Sequence, residues 1–285
     1  MSSSVETKNK GNLVGNIIKY VVLTILALYT IFPIIFLIIN SFKSQADIVS
    51  SPLSLPTSWS LEHIVNAAER INFFKSIGIT AVITILSVLL IVFVSSLAAW
   101  VMVRNKGKLS SVMLLMFVAA MLVPFQAVMY PLISFMESLN LKNPAGLVVM
   151  YGGFGLSLSV FLYHGFIKSI PKSIEEAAVI DGANIFQLFF GIVLPLLKST
   201  TVTVVILNSM WIWNDYLLPF LVIGNSNVKT LTLELYFAKM LSGQYGNPWE
   251  LIFPAVLVSI IPIIILFLFL QKHIVKGVAD GAIKS

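Results

Sequence analysis

The chain has 285 residues, of which 58% are hydrophobic and only 11% are charged, with a formal net charge of +6 at pH 7. A soluble domain carries charge on about 25% of its residues, so this composition predicts a membrane protein. Inside a bilayer the backbone N–H and C=O groups must be paired within the protein, which restricts membrane-spanning structures to helices and closed β-barrels. The sequence lacks the alternation of polar and apolar residues that is typical of barrel strands, which leaves membrane-spanning helices. The chain has no cysteine, which excludes disulfides, thiolate metal sites and cysteine nucleophiles.

Six windows of the chain are apolar and long enough to cross a bilayer, which takes about 20 residues. A polar segment, residues 1–16, precedes the first window, and a second polar segment, residues 271–285, follows the last. We therefore expect an all-α integral membrane protein with one six-helix domain over residues 17–270. The predicted spans are Ile17–Ile39, Phe74–Val103, Val112–Phe135, Leu147–Ile167, Ile192–Ile223 and Leu251–Leu270.

Lysine and arginine are unevenly divided between the two sides of these spans. Twelve of the 18 fall on the side that holds both termini and the tight turn at residues 104–108. An excess of basic residues marks the cytoplasmic side, so both termini and the loop at residues 168–195 are expected to be cytoplasmic. The extracytoplasmic segments are then Ser41–Phe73 and Gly224–Glu250.

The predicted cytoplasmic loop begins with a helix signal. Ser173 and Glu176 have the spacing of a reciprocal capping box, and Glu175 also falls in the first turn, where the helix dipole favours negative charge. Asp181 and Gly182 are expected to end this helix after about two turns, because glycine adopts the left-handed conformation that closes a helix. Four residues are spaced to share one face of it: Ile174, Ala177, Ala178 and Asp181.

A second helical stretch, Asn184–Gly191, follows in the loop and leads into the fifth predicted span. Leu194-Pro195 stands at the junction, and proline is tolerated in the first turn of a helix. The pattern predicts a helix–turn–helix unit on the cytoplasmic membrane surface, joined to the fifth span through a bend at Pro195.

The same residues resemble the signature loop of ABC importer permeases, which has E-A-A, three residues, G, nine residues and I-x-L-P. The chain has Glu176-Ala177-Ala178, Gly182 and Ile192-x-Leu194-Pro195 at those spacings. WNDYLLPF at Trp213–Phe220 and the tail at Gln271–Ser285 are similar to blocks of the carbohydrate-uptake permeases. The chain therefore resembles the second, maltose-type permease of a sugar importer.

The resemblance implies a type I importer permease with six transmembrane helices and a cytoplasmic coupling-helix loop. It also implies a sugar substrate, expected to be an oligosaccharide, and uptake driven by ATP that partner subunits hydrolyse. The coupling residues that it implies are Glu175, Glu176, Ala177, Ala178, Asp181, Gly182, Leu194 and Pro195.

The implied partners are a second homologous permease, two cytoplasmic ATP-binding subunits, an extracytoplasmic sugar-binding protein and the lipid bilayer, with no nucleic acid. We expect the plasma membrane of a bacterium or archaeon. The chain has no G-x-x-x-x-G-K-[ST] phosphate loop, so we expect partner subunits to bind the ATP and this subunit to hold no cofactor. It also has no H-E-x-x-H, paired intramembrane aspartates or G-x-S-x-G, so we expect no catalysis and no metal. His164 has no second ligand at metal spacing and is expected to be a packed or interfacial residue.

Polar side chains on the fifth predicted span are candidates for the substrate pathway. Asp215 is the one acidic residue inside a predicted span; it either faces a water-filled cavity or, with Asn214, caps a helix break before Pro219. Asn208 either exchanges hydrogen bonds with a sugar or bridges two helices. The candidate pathway residues are Asn208, Trp211, Asn214 and Asp215.

A self-contained secondary transporter or channel is the alternative function. Such proteins usually hold several intramembrane charges and often show inverted repeats. This chain has one candidate charge and no visible repeat, which favours the importer subunit.

Overall fold

The computed structural model describes residues 3–224, 226–242 and 246–282; of these, residues 3–14, 241–242 and 270–282 are described by their backbone alone. The described residues form helices and connecting turns without a strand, which confirms the all-α prediction. The helices are α1 (Ser3–Asn40), α2 (Gln45–Ser50), α3 (Glu62–Arg70), α4 (Phe73–Arg104), α5 (Lys108–Ala120), α6 (Phe125–Ser138), α7 (Pro144–Ile167), α8 (Lys172–Ile180), α9 (Ile185–Leu188), α10 (Leu194–Leu196), α11 (Lys198–Asn214), α12 (Leu217–Ile223), α13 (Leu231–Ser242) and α14 (Trp249–Ala282).

Four predicted spans are continuous helices that are long and apolar enough to cross a membrane. They cover Gly15–Asn40, Phe73–Arg104, Pro144–Ile167 and Trp249–Phe269. The outer two helices extend beyond their apolar windows: α1 already begins at Ser3, and α14 continues to Ala282. Neither polar extension contains a proline that would stop a helix. Residues 283–285 of the predicted tail lie outside the described residues.

The third predicted span is broken rather than continuous. α5 ends at Ala120, and α6 begins at Phe125 at an angle of 105° to it. Pro124 precedes α6 with φ −67° and ψ 141°. Proline has no N–H for a helical hydrogen bond and disfavours helical backbone at the residue before it, which favours a break at this position.

The fifth predicted span is broken twice. A bend of 75° separates Ile185–Leu196 from α11; it lies at Leu197, two residues after the predicted bend at Pro195. A π-helical turn, Phe189–Val193, precedes it; this turn includes Gly191, whose carbonyl would bond to the N–H that Pro195 lacks. The second break follows Asn214, where Asp215 has extended backbone.

The chain divides into two compact units. The first comprises residues 1–70 and 239–258. Within it the Lys43 side chain is 2% exposed, and its ammonium donates to the carbonyl of Ser51 at 2.9 Å and to the hydroxyl of Ser54 at 3.3 Å. These bonds pin the loop after α2 to the end of α1, in the segment predicted to be extracytoplasmic.

The second unit comprises residues 71–238 and 259–285, and its core forms where α4 and α7 pack together. Small residues allow this close approach, as is common between membrane helices. A methyl group added at Gly155 would meet Ile91 of α4 and would lie 2.7 Å from the Asn208 amide oxygen of α11. The two helices carry the sites described next, because the loop α8–α10 packs against this core.

Candidate functional site

Glu175 fastens the cytoplasmic loop to the end of α4. Its side chain lies on α8 and is buried, with 6% of the residue exposed. One carboxylate oxygen accepts hydrogen bonds from Arg104 Nε at 2.9 Å and from Arg104 Nη2 at 2.6 Å. The other accepts one from the indole N–H of Trp100 at 3.0 Å. Both oxygens are therefore occupied within the chain, and Glu175 holds the loop in place rather than facing a partner.

Glu176, the next residue, points away from the core. Its side chain is 57% exposed and pairs with Lys172 at 3.1 Å, one helical turn earlier. Exposed pairs of this kind contribute about 0–1 kcal/mol, so the carboxylate is available to a binding partner at little cost.

The capping box predicted for Ser173 and Glu176 is wrong. α8 begins at Lys172, directly after Pro171, so Ser173 lies inside the helix and makes no capping bond. The fixed φ of proline favours a helix start here. A capping box does occur at α9, where Asn184 accepts from the Gln187 N–H and Gln187 accepts from the Asn184 N–H, each at 2.9 Å.

The glycine that ends α8 has the predicted conformation. Gly182 has φ +88°, in the left-handed region that glycine adopts without strain. The Ala183 N–H donates to the Ala178 carbonyl at 3.0 Å, and the Gly182 N–H donates to the Val179 carbonyl at 3.0 Å. These are the two bonds of a Schellman motif, which turns the chain from α8 toward α9.

The two alanines of the motif lie in different surroundings. Ala178 is 8% exposed and packs on the core, whereas Ala177 is exposed. The predicted common face is therefore wrong for Ala178, because Ile174, Ala177 and Asp181 are all exposed. Ala178 lies about 100° around the axis from Ala177, on the side of α8 that packs on the core together with Glu175.

Large apolar side chains are exposed on α8 and α9. Ile180 is 85% exposed and Phe186 is 72% exposed. We call the following set the exposed loop face: Ile174, Ala177, Ile180, Ile185 and Phe186. Because α8 and α9 lie outside the predicted spans, exposed apolar residues concentrated on them are typical of an interaction site. Of the remaining motif residues, Leu194 is half-buried and Pro195 is exposed, both on the short helical turn before the bend.

A cavity of about 770 Å³ lies between the α5–α6 pair, α7 and α11. Asn208 and Trp211 line it together with apolar residues such as Met121 and Phe154. Trp211 is 42% exposed and packs edge-to-face on Tyr151 at 5.4 Å. A mainly apolar and aromatic cavity with a few polar groups is the usual form of a small-molecule site.

Asn208 bridges helices as well as lining the cavity. Its amide donates to the Ser159 hydroxyl at 3.1 Å and to the Val204 carbonyl at 2.8 Å. The residue is 4% exposed. Because Ser159 lies on α7 and Asn208 on α11, the bond between them directly supports the interpretation that Asn208 bridges two helices.

Asp215 and Asn214 do not line this cavity. One carboxylate oxygen of Asp215 accepts from the Tyr151 hydroxyl at 2.9 Å, and the other accepts from the Leu217 N–H at 3.0 Å. The Asp215 carbonyl accepts from Thr232 at 2.7 Å. Asp215 therefore caps the break between α11 and α12, which is one of its two predicted roles, while Asn214 bonds to the Met210 carbonyl of its own helix.

Comparison with known proteins agrees with this architecture. Residues 91–280 match the family described as binding-protein-dependent transport system inner membrane component. The chain belongs to this family of transport permeases.

Named relatives of this permease align over most of their length. It is 40% identical to the probable starch degradation products transport system permease protein AmyC of Thermoanaerobacterium thermosulfurigenes, over 92% of the chain and 94% of that protein. It is 36% identical to the multiple sugar-binding transport system permease protein MsmG of Streptococcus mutans, over 93% of the chain and 96% of that protein.

A solved structure shows the same fold at lower identity. It is the crystal structure of a bacterial ABC transporter involved in the import of the acidic polysaccharide alginate. The TM-score is 0.77 with 23% identity, covering 92% of the permease and 97% of that chain. The predicted importer-permease fold is thereby confirmed.

Three functional side chains were missed by the sequence analysis. Arg104 was interpreted only as a charge that sets orientation and Trp100 only as an anchor near the end of a span, and Tyr151 was given no role. Each becomes important through a contact more than 60 residues away in the chain. The only signal in the sequence for the contact between Arg104 and Glu175 is a basic residue at the end of one span and an acidic residue in a later loop.

Proposed function

We propose that this permease is the transmembrane subunit of an ABC importer that moves a sugar, and specifically an oligosaccharide, into the cytoplasm. The names of its relatives support a sugar, since they refer to starch degradation products and to multiple sugars. The cavity of about 770 Å³ is within the size range of small-molecule sites and presents Asn208 and Trp211. We assign the substrate pathway to this cavity.

The observation that carries the proposal is the two-sided construction of α8. Glu175 and Ala178 face the core, and Glu175 is bonded to α4. The exposed loop face points away from the core and has no cover from the described residues. A segment fixed on one side and open on the other suits transmission of force from a docked subunit.

Two ATP-binding subunits supply the energy in this proposal; one docks on the exposed loop face, with Glu176 available to a cationic group on it, and the other docks on the second permease. When the ATP-binding subunits close, the movement is transmitted to α4 through the hydrogen bonds of Glu175. It is transmitted to α11 through the turn that carries Leu194 and Pro195. A second homologous permease completes the transmembrane pathway, and an extracytoplasmic sugar-binding protein delivers the substrate. Both termini lie in the cytoplasm, as the distribution of basic residues indicates.

The proposal is tested by rebuilding the transporter. This permease is co-expressed with the second permease, the ATPase and the binding protein encoded beside it. ATP hydrolysis by the complex is then measured in nanodiscs with sugar-loaded binding protein. Wild type is compared with Glu176→Lys, which reverses an exposed charge, and Gly182→Pro, which cannot adopt φ +88°. We expect both variants to lose the stimulation while Glu176→Lys still assembles.

Substrate length is tested in the same assay. A series from one to several sugar units should stimulate hydrolysis most with the longer members if the substrate is an oligosaccharide. If no ATPase co-purifies, or both variants hydrolyse and transport like wild type, the loop does not couple and a self-contained transporter becomes the better explanation.

A further inference from the structure

A second large cavity, of about 990 Å³, lies where α4 and α7 end and α5 and α8 begin. It is separate from the substrate cavity and shares no lining residue with it. Four cationic side chains line it: Arg104, Lys106, Lys168 and Lys172. No carboxylate side chain is among the described residues that line it, so the cavity attracts anions.

Two of these four cations are not neutralised. Arg104 pairs with Glu175 at 2.6 Å, and Lys172 pairs with Glu176 at 3.1 Å. Lys106 and Lys168 form no ion pair with any residue that the structure describes. Both lysines are exposed, but they line the same concave site, so their positive potentials add there.

His164 supplies a second, independent sign of a ligand. It lines the cavity, is 8% exposed, and makes no side-chain hydrogen bond within the described part of the chain. Its ring nitrogens are not among the fully buried side-chain atoms that lack a partner, so they remain accessible at the cavity wall. An imidazole held in this way can bond to a polar ligand in the cavity.

The position of the cavity indicates where the ligand comes from. Arg104 ends one apolar helix, and Lys168 directly follows another, Pro144–Ile167. Met102, Val103 and Leu114 give the cavity an apolar wall beside its cations. Basic residues next to an apolar wall at the ends of membrane helices match the phosphate and glycerol region of a lipid.

We propose that this cavity binds the phosphate of an anionic phospholipid headgroup, held by Lys106, Lys168 and His164. The site goes beyond the proposed transport function and requires neither ATP nor sugar. Because Pro171 and Lys172 also line the cavity, the bound lipid contacts the start of the coupling loop.

The test is native mass spectrometry of the assembled transporter with added phosphatidylglycerol or phosphatidylcholine. Wild type is expected to retain phosphatidylglycerol selectively. Lys106→Ala with Lys168→Ala should weaken its binding by roughly tenfold or more, since each basic residue near anionic lipid contributes about 1 kcal/mol. Lys198→Ala is the matched control. Lys198 is an exposed basic residue on the same predicted side of the membrane, but it does not line the cavity.

Charge-preserving replacement of both lysines by arginine should restore selective retention. Absence of selective retention by wild type would overturn the proposal without any variant. Equal losses in Lys198→Ala and in the double variant would show a general surface-charge effect and would also overturn it. Displacement of the lipid by millimolar inorganic phosphate would assign the site to a soluble phosphate compound instead of a lipid.

Discussion

Glu175 and Glu176 are neighbours in the sequence with opposite surroundings. Glu175 is bonded to Arg104 and Trp100 and is 6% exposed, whereas Glu176 has one exposed partner. The sequence pattern gave both residues the same coupling role, because it records spacing and not direction. In the structure Glu175 is bonded inside the permease and Glu176 is exposed, and our proposal gives Glu176 the contact with the partner.

Replacing Glu175 by Ala should destabilise the permease far more than replacing Glu176 by Ala. The first change leaves the Arg104 and Trp100 donors unpaired in a part-buried site, which costs about 1–3 kcal/mol. The second removes an exposed pair worth about 0–1 kcal/mol. The apparent Tm of each purified permease measures the difference. Equal Tm values for the two variants would contradict the assignment.

Asp215 should act through its hydrogen bonds and not through its charge. Asp215→Asn keeps an oxygen for the Leu217 N–H and a partner for the Tyr151 hydroxyl, so we expect near-normal stability and sugar uptake. Asp215→Ala removes the cap, which costs about 0.5–2 kcal/mol, and should lower the apparent Tm. Loss of uptake in a stable Asp215→Asn protein would instead give the carboxylate a place in the pathway.

Apolar length predicted the four continuous helices well, including α1, which contains Pro33, but it missed the breaks in the third and fifth predicted spans. α4 and α7 lie within a few residues of the predicted spans, because hydrophobic length alone decides such helices. Pro124 and Pro195 fall within predicted spans and accompany breaks. Apolar length does not report these bends, since both arms of a bent helix are equally hydrophobic.

The close packing of α4 against α7 can be tested by substituting the glycines of α7. Gly155→Ala should destabilise the permease by about 1–3 kcal/mol, because the added methyl meets Ile91 and Asn208. Gly153→Ala, two residues earlier on the same helix, has open space around it. That control should be neutral or slightly stabilising. Apparent Tm values of the two variants decide the matter, and equal effects would contradict the close packing.

For the whole molecule, composition predicted a membrane protein, and the long apolar helices confirm this. The loop motif and the sequence blocks near it predicted the permease family, and the family match confirms that. The bonds that tie Glu175 to α4 and Asp215 to Tyr151 were beyond the sequence. They join residues more than 60 positions apart, and no local spacing rule reports such contacts. Side-chain direction on α8 had the same limitation, because it depends on what the helix packs against.

Orientation across the membrane is a whole-molecule prediction that labelling can test. The chain has no cysteine, so single cysteines report unambiguously. Ser58→Cys and Asn105→Cys replace two exposed residues on opposite predicted sides. A membrane-impermeant maleimide should label the first in intact spheroplasts and the second only after permeabilisation. The reverse pattern would place both termini outside.

The central claim is that the exposed loop face is where the ATPase docks. The most direct measurement attaches a benzophenone photo-crosslinker to Ala177→Cys or Ile180→Cys in the assembled transporter and detects the adduct by immunoblot. Lys108→Cys, exposed on the same predicted side but outside the loop, is the control. We predict permease–ATPase adducts from positions 177 and 180 and none from position 108. Adducts equally strong from all three positions, or none from the loop, would contradict the claim.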